Sequence, residues 1–96
     1  MYYHQGKLDE ALEYFNRALS INEKVKGKES LDCADIFNGI AIVLMHQGKL
    51  NKAFEYYSKA LSIYERSKGR KSFECAQTLN NIAIMYDNKG QLNKAL

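Results

Sequence analysis

The chain has 96 residues, of which 46% are hydrophobic, and its formal net charge is only +3. This composition supports one small domain with a buried core and excludes a disordered, strongly charged tail. So mild a positive charge does not by itself indicate a nucleic-acid-binding protein. The sequence has no proline and few glycines, which favours long helices over a loop-rich or β-rich fold.

A five-residue segment recurs along the chain at a fixed spacing. Residues 4–8, His-Gln-Gly-Lys-Leu, reappear intact 42 residues later as residues 46–50, and a looser copy follows after another 42 residues at 88–92. At this offset the chain matches itself at about half of its positions, which indicates a repeat architecture. We therefore predict three copies of one unit: a partial repeat over 1–29, a complete repeat over 30–71 and a partial repeat over 72–96.

The first predicted elements are the end of one helix near Met1 and a second helix after Gly6. The complete repeat follows, and it begins with Ser30, a good N-cap. Apolar residues at helical spacing then predict a helix from Leu31 to His46, which Gly48 closes.

A second helix is predicted from Leu50 to Lys68, with basic residues in its last turn and Gly69 directly after it. Small residues on the apolar faces, Ala41, Ala53 and Ala60, allow the two helices to approach closely. We call the first helix of each unit its A helix and the second its B helix. In the third unit, an A helix closed by Gly90 and the start of a B helix are expected.

The order of small, aromatic and glycine residues resembles that of the tetratricopeptide repeat family. The matching residues are Tyr2, Gly6, Ala11, Phe15 and Ala18 in the first unit; Ala41, Leu44, Gly48, Ala53, Tyr57 and Ala60 in the second; and Ala83, Tyr86, Gly90 and Ala95 in the third. The family's ordinary unit has about 34 residues. The longer unit here is similar to the repeats of kinesin light chains, most clearly over 60–65 and 75–83.

This resemblance implies an all-α fold, a right-handed α-solenoid of stacked antiparallel helix-turn-helix repeats. Neither predicted end has the polar cap that terminal repeats normally carry. We therefore expect a fragment of a longer array whose ends meet flanking repeats or a second copy. Cys33 and Cys75 occupy equivalent places on stacked repeats, about 8–10 Å apart, whereas a disulfide needs Cα atoms within about 7 Å. Both are expected to be reduced and buried, which is typical of a cytoplasmic protein.

The resemblance also implies a binding groove lined by the outward residues of the A helices. Asn38 and Asn80 are equivalent, and an amide offers both a donor and an acceptor to a peptide backbone. Ile42 and Ile84 either contact an apolar ligand or pack between neighbouring A helices. The predicted groove residues are Asp35, Asn38, Ile42, Met45, His46, Gln77, Asn80, Asn81, Ile84, Asp87 and Asn88.

The expected partner is another protein. Family members that clamp a C-terminal carboxylate use lysine and arginine on the A helix, and the matching positions here carry none. A nearly neutral groove favours an extended or helical peptide with apolar anchors. The leading prediction is thus a scaffold or adaptor segment that binds a partner protein. The alternative is a purely structural segment whose surfaces are used by flanking repeats or self-association.

A third alternative depends on basic residues near the ends of the B helices, which would contact RNA or an acidic surface. These residues are Lys24, Lys26, Lys28, Arg66, Lys68, Arg70 and Lys71. They lack the dense charge and stacking pattern of nucleic-acid modules, so nucleic acid is a less favoured partner. The longest apolar run, 40–45, is too short for a bilayer, so no membrane partner is expected. No catalytic motif, cofactor motif or metal-ligand spacing is present, and we expect no enzyme activity, cofactor or metal.

Overall fold

The computed structural model describes the backbone of residues 5–95 and the side chains of residues 6–87. It contains four helices: α1 (Gln5–Val25), α2 (Leu31–His46), α3 (Leu50–Lys68) and α4 (Phe73–Ala95). No strand occurs within residues 5–95. Each helix packs against the next, and α2 also contacts α4. The all-α repeat fold expected from the sequence is confirmed.

The complete repeat has the helix boundaries that its caps predicted. Helices α2 and α3 begin and end at the predicted residues. The Oγ of Ser30 accepts a hydrogen bond from the backbone N–H of Cys33 at 3.2 Å, and Ser72 caps α4 through Cys75 at the same distance. Gly48 lies at φ 81°, in the left-handed region that a residue with a Cβ rarely adopts. The boundaries are therefore set by local interactions that the sequence shows directly.

Helix α4 differs from its prediction. It continues through Gly90 to Ala95, where a turn and the start of a third B helix were expected. A new helix of five residues would be far shorter than the roughly 12–15 residues that an isolated helix needs. Extending the existing ladder of hydrogen bonds is therefore favoured over a turn at Gly90. The division of the chain at residues 29 and 71 stays a prediction.

Helix α1 differs in a similar way, because Gly6 lies inside the helix and not in the turn that was predicted there. The helix end expected near Met1 and Tyr2 lies outside the described residues. No helix in the described part of the chain is long and apolar enough to cross a membrane.

The core consists of two apolar clusters around α2. The three predicted small residues, Ala41, Ala53 and Ala60, are all fully buried, which confirms the close approach of α2 and α3. One cluster comprises Cys33, Ala34, Phe37, Ala60, Ile63, Tyr64 and Cys75. The other comprises Ile40, Ala41, Leu44, Ala53, Tyr57 and Met85.

Both cysteines are free and fully buried, as predicted. The Cys33 thiol donates to the carbonyl of Gly27, and the Cys75 thiol donates to that of Gly69, each at 3.3 Å. Each thiol therefore ties the first turn of an A helix to the loop that precedes it.

The two serine caps give a stability prediction. Ser30→Ala and Ser72→Ala should each lower the free energy of unfolding by about 1 kcal/mol, because each removes the acceptor of an N-terminal backbone N–H. Urea denaturation measures the change. Ser20→Ala, at an exposed position inside α1, makes the same chemical change. It should not lower stability, because alanine is the better helix former. Equal effects at all three serines would contradict the capping role.

Candidate functional site

Helix α2 has three stripes of residues at helical spacing, and only one of them is open. The two buried stripes consist of half-buried Ile36 and the buried residues Cys33, Ala34, Phe37, Ile40, Ala41, Val43 and Leu44. The third stripe is exposed or half-buried, and it consists of Asp35, Asn38, Ile42 and Met45. Its first two residues are polar and its last two are apolar.

The equivalent stripe on α4 is fully open. It consists of Gln77, Asn80, Ile84 and Asp87, all of which are exposed. Because α2 and α4 are in contact, these two stripes belong to neighbouring A helices. We call them together the A-helix groove.

The predicted groove residues do not all have the same surroundings. Ile42 and Met45 are half-buried and pack against the core cluster that contains Met85 of α4. Ile84 is 44% exposed, since no further A helix covers it in the described part of the chain. Packing between neighbouring A helices thus explains the partial burial of the Ile42 side chain, whereas the Ile84 side chain remains exposed.

The remaining predicted residues lie beside the groove or beyond the described side chains. His46 is exposed at the last position of α2. Asn81 is half-buried, and its equivalent, Gly39, faces the ring of Phe15 on the preceding B helix. Asn88 belongs to α4, but its side chain is outside the described residues.

Asn38 is the polar centre of the α2 stripe. Its Oδ1 is buried, and no donor in the described structure reaches it. A buried acceptor without a partner costs about 1–3 kcal/mol, so a donor from a ligand would be stabilising here. The equivalent Asn80 is exposed to solvent.

Asp35 is held at the side of the groove by the neighbouring B helix. The Tyr64 hydroxyl of α3 donates a hydrogen bond to Asp35 Oδ1. Burial, followed by this hydrogen bond, raises the pKa of Tyr64 above its ordinary value. Sequence reasoning missed this contact, because the two residues are 29 positions apart and have no shared motif.

A second tyrosine gives a prediction for alkaline solution. Burial raises the pKa of Tyr57 from 10.0 to about 12, because the phenolate would be desolvated in the core. In the unfolded chain Tyr57 has its ordinary pKa. The stability that the buried neutral phenol contributes is therefore complete below pH 10.0 and is lost as the pH rises towards about 12. Denaturation between pH about 8 and about 11.5 should show a steeper loss of stability for the wild type than for Tyr57→Phe. Parallel pH profiles would contradict the assignment.

Carboxylates lie among the basic residues near the ends of the B helices, which we call the basic edge. Lys26 pairs with Asp32 at 2.7 Å, Lys68 lies 4.0 Å from Glu74, and Arg66 pairs with Glu29. These exposed pairs contribute little to stability, but they reduce the positive potential along the edge. No group of three or more His, Cys, Asp or Glu side chains within the described residues is arranged to hold a metal ion.

The four packed helices define a class of protein, the α-solenoids built from helix-turn-helix repeats. The family model described as tetratricopeptide repeat matches residues 1–44 and 32–96, which together span the chain. The chain therefore belongs to the tetratricopeptide repeat family, whose repeats mediate protein–protein interaction.

A solved structure supports the same assignment. The chain is similar to BtubC (BKLC) from P. vanneervenii, with 30% sequence identity and a TM-score of 0.82. The match covers 94% of this chain and 35% of that one, so the chain spans about a third of its structural neighbour. No curated protein matches the chain.

Proposed function

We propose that this chain is a protein-interaction segment that binds a peptide or helix of a partner in the A-helix groove. The observation that carries the proposal is the repetition of asparagine and isoleucine at the same two places of the open stripe, as Asn38 and Ile42 on α2 and as Asn80 and Ile84 on α4. The amides pair with the ligand backbone, and the isoleucines contact its apolar side chains.

The charge of the A helices limits which ligands the groove can bind. Residues 31–46 and 73–88 contain no lysine or arginine, whereas Asp35 and Asp87 lie in the groove stripes. A strongly acidic peptide or a terminal carboxylate would find no cationic partner there. The ligand is therefore a neutral or mildly basic segment with one or two apolar anchors.

This role is that of a scaffold or adaptor in the cytoplasm and not that of an enzyme. The similarity to kinesin light-chain repeats, in the long 42-residue unit, favours an adaptor that holds one protein beside another. Non-catalytic binding also agrees with the family, whose members act mainly through their surfaces.

The groove is tested by capturing partners with two matched variants of the chain. The first carries Asn38→Ala and Asn80→Ala, and the control carries Asn16→Ala and Asn51→Ala, two exposed asparagines on the B helices. Proteins captured by each are identified by mass spectrometry, and helicity is compared by circular dichroism. A partner lost with the first variant and kept with the control supports the groove. Its affinity is then measured by titration calorimetry with the purified partner.

Partners retained equally by both variants would refute the groove as the binding surface. The second candidate function is then favoured, in which the chain is a structural segment. The observation that favours this second function is the exposed apolar surface of α1 and α4, where Ile21 is 62% exposed and Leu79 is 52% exposed.

A further inference from the structure

A second stripe of α4, distinct from the groove, is apolar and open. It consists of Ala76, Leu79, Ala83 and Tyr86, and all four residues are exposed. Leu79 is 52% exposed and Tyr86 is 51% exposed, although their equivalents on α2, Phe37 and Leu44, are only 8% and 6% exposed. The same stripe is therefore core on one A helix and surface on the other.

The covered stripe on α2 shows what kind of partner fits. Ala34 and Phe37 share a cluster with Ala60 and Ile63 of α3, and Ala41 shares one with Ala53. The rings of Phe37 and Tyr56 lie 5.9 Å apart in a tilted contact. A B helix that presents Ala, Tyr, Ala and Ile at positions 53, 56, 60 and 63 thus covers this stripe.

Helix α1 presents the same four residue types at the equivalent positions, Ala11, Tyr14, Ala18 and Ile21. Here the stripe is largely open: Tyr14 is 67% exposed and Ile21 is 62% exposed, whereas Ile63 of α3 is 4% exposed. No helix of the described structure covers it. The chain therefore carries both halves of the α2–α3 interface a second time, at opposite ends. No helix within the described residues covers either half, although the ring of Tyr86 lies 6.0 Å from that of Phe54 on α3.

We propose that α1 of a second copy of this chain docks on the open stripe of α4 and reproduces the α2–α3 interface between molecules. Leu79 then meets Tyr14 of the second copy in the place of the Phe37–Tyr56 contact. The cation over that ring is already in position, since Arg17 lies 5.9 Å from the centre of the Tyr14 ring and Lys59 lies 4.9 Å from that of Tyr56.

The polar side of the interface also has an equivalent. Asp35 accepts a hydrogen bond from Tyr64 within one chain. The equivalents of these two residues are Gln77 and Asn22. Two amides supply a donor and an acceptor each, so this pair forms a hydrogen bond across the junction without burying a charge.

Because the two stripes differ, the contact is head-to-tail and does not close on itself in a dimer. Each copy keeps one free α1 stripe and one free α4 stripe, so assembly continues into open chains or closes as a ring. Gln77 is the one groove residue used in this contact, so Asn80, Ile84 and the α2 stripe remain available for a partner.

The assembly is tested with two variants that block one stripe each. Ile21→Arg blocks α1 and Leu79→Arg blocks α4, and both side chains are exposed in the single chain, so the fold is expected to be retained. Mass is measured by analytical ultracentrifugation at protein concentrations up to about 1 mM, which detects even millimolar contacts. The wild type should exceed its monomer mass of 11.0 kDa increasingly with concentration. Each variant alone should stay at the monomer mass.

The decisive sample is an equal mixture of the two variants. One open α1 stripe and one open α4 stripe then remain, so the mixture should form a one-to-one dimer and nothing larger. Ser20→Arg, on an exposed part of α1, adds the same charge and should assemble like the wild type. Asn38→Ala with Asn80→Ala should also assemble normally, which separates this proposal from the groove.

Two results would overturn the proposal. A wild type that stays at the monomer mass over the whole concentration range shows that a second copy does not cover the α4 stripe. Assembly that Leu79→Arg abolishes and Ile21→Arg leaves intact shows a symmetric contact between two α4 helices. Circular dichroism of each variant verifies that a loss of assembly is not a loss of fold.

Discussion

Replacing Tyr57 by alanine should lower the free energy of unfolding by about 3–5 kcal/mol. The Tyr57 side chain is fully buried in the cluster that joins α2, α3 and α4, so its removal leaves a large cavity. Stability of a small domain is typically only about 5–15 kcal/mol, and the variant is therefore expected to be close to unfolding at room temperature. Urea denaturation followed by circular dichroism measures the change.

Tyr57→Phe is the matched control, because it keeps the ring and removes only the hydroxyl. That oxygen is buried and has no hydrogen-bond partner in the described structure, and the equivalent residue of the first repeat, Phe15, has no hydroxyl. An unpartnered hydroxyl is costly to bury, so this variant should be as stable as the wild type or more stable by about 1 kcal/mol. A clear loss of stability in Tyr57→Phe would show that the hydroxyl has a bonding partner.

Gly39→Ala should destabilise the chain by about 1–3 kcal/mol, even though alanine is the better helix former. A Cβ at this position would lie 2.7 Å from Cζ of Phe15, a distance that requires the ring to move. A side chain at position 39 therefore requires the Phe15 ring at the interface between α1 and α2 to shift. Thermal and urea denaturation both measure this effect.

Phe15→Leu supplies the second half of a double-mutant cycle with Gly39→Ala. A smaller residue at position 15 makes room for the methyl group, so the two changes together should cost less than the sum of each alone, by about 0.5–3 kcal/mol. Gly6→Ala is the control, because its Cβ would meet nothing within 4 Å. It should raise stability by up to about 1 kcal/mol. A similar gain for Gly39→Ala would contradict the close contact.

Local signals determined how well the sequence predicted the helices. Ser30, Gly48 and Gly69 act within a few residues of themselves, so the bounds of α2 and α3 could be predicted closely. Gly90 occupies the same place in its repeat as Gly48, but a turn there is favourable only when a long B helix packs back on α4. That condition is tertiary, and the sequence of the repeat does not show whether it is met.

The groove could be predicted only in part, for a similar reason. Helical spacing alone places Asn38 and Ile42 on one stripe. How far Ile42 is buried depends on α4, which packs beside it, whereas the same residue type at Ile84 remains open. The bond between Tyr64 and Asp35 depends on the angle between α2 and α3, which no motif encodes.

The contact between Gly39 and Phe15 limits the order in which these repeats can be joined. The equivalent pair at the next interface is Asn81 and Tyr57, so each B helix has a matching residue on the A helix that follows it. Duplicating residues 16–57 would leave an intact 42-residue periodicity and would place Tyr57 before a second Gly39. The tyrosine hydroxyl would then extend from Cζ, the ring atom of Phe15 that lies nearest to position 39. The units are alike in pattern and are not interchangeable, so gain of a whole unit during evolution requires compensating changes at the new junction.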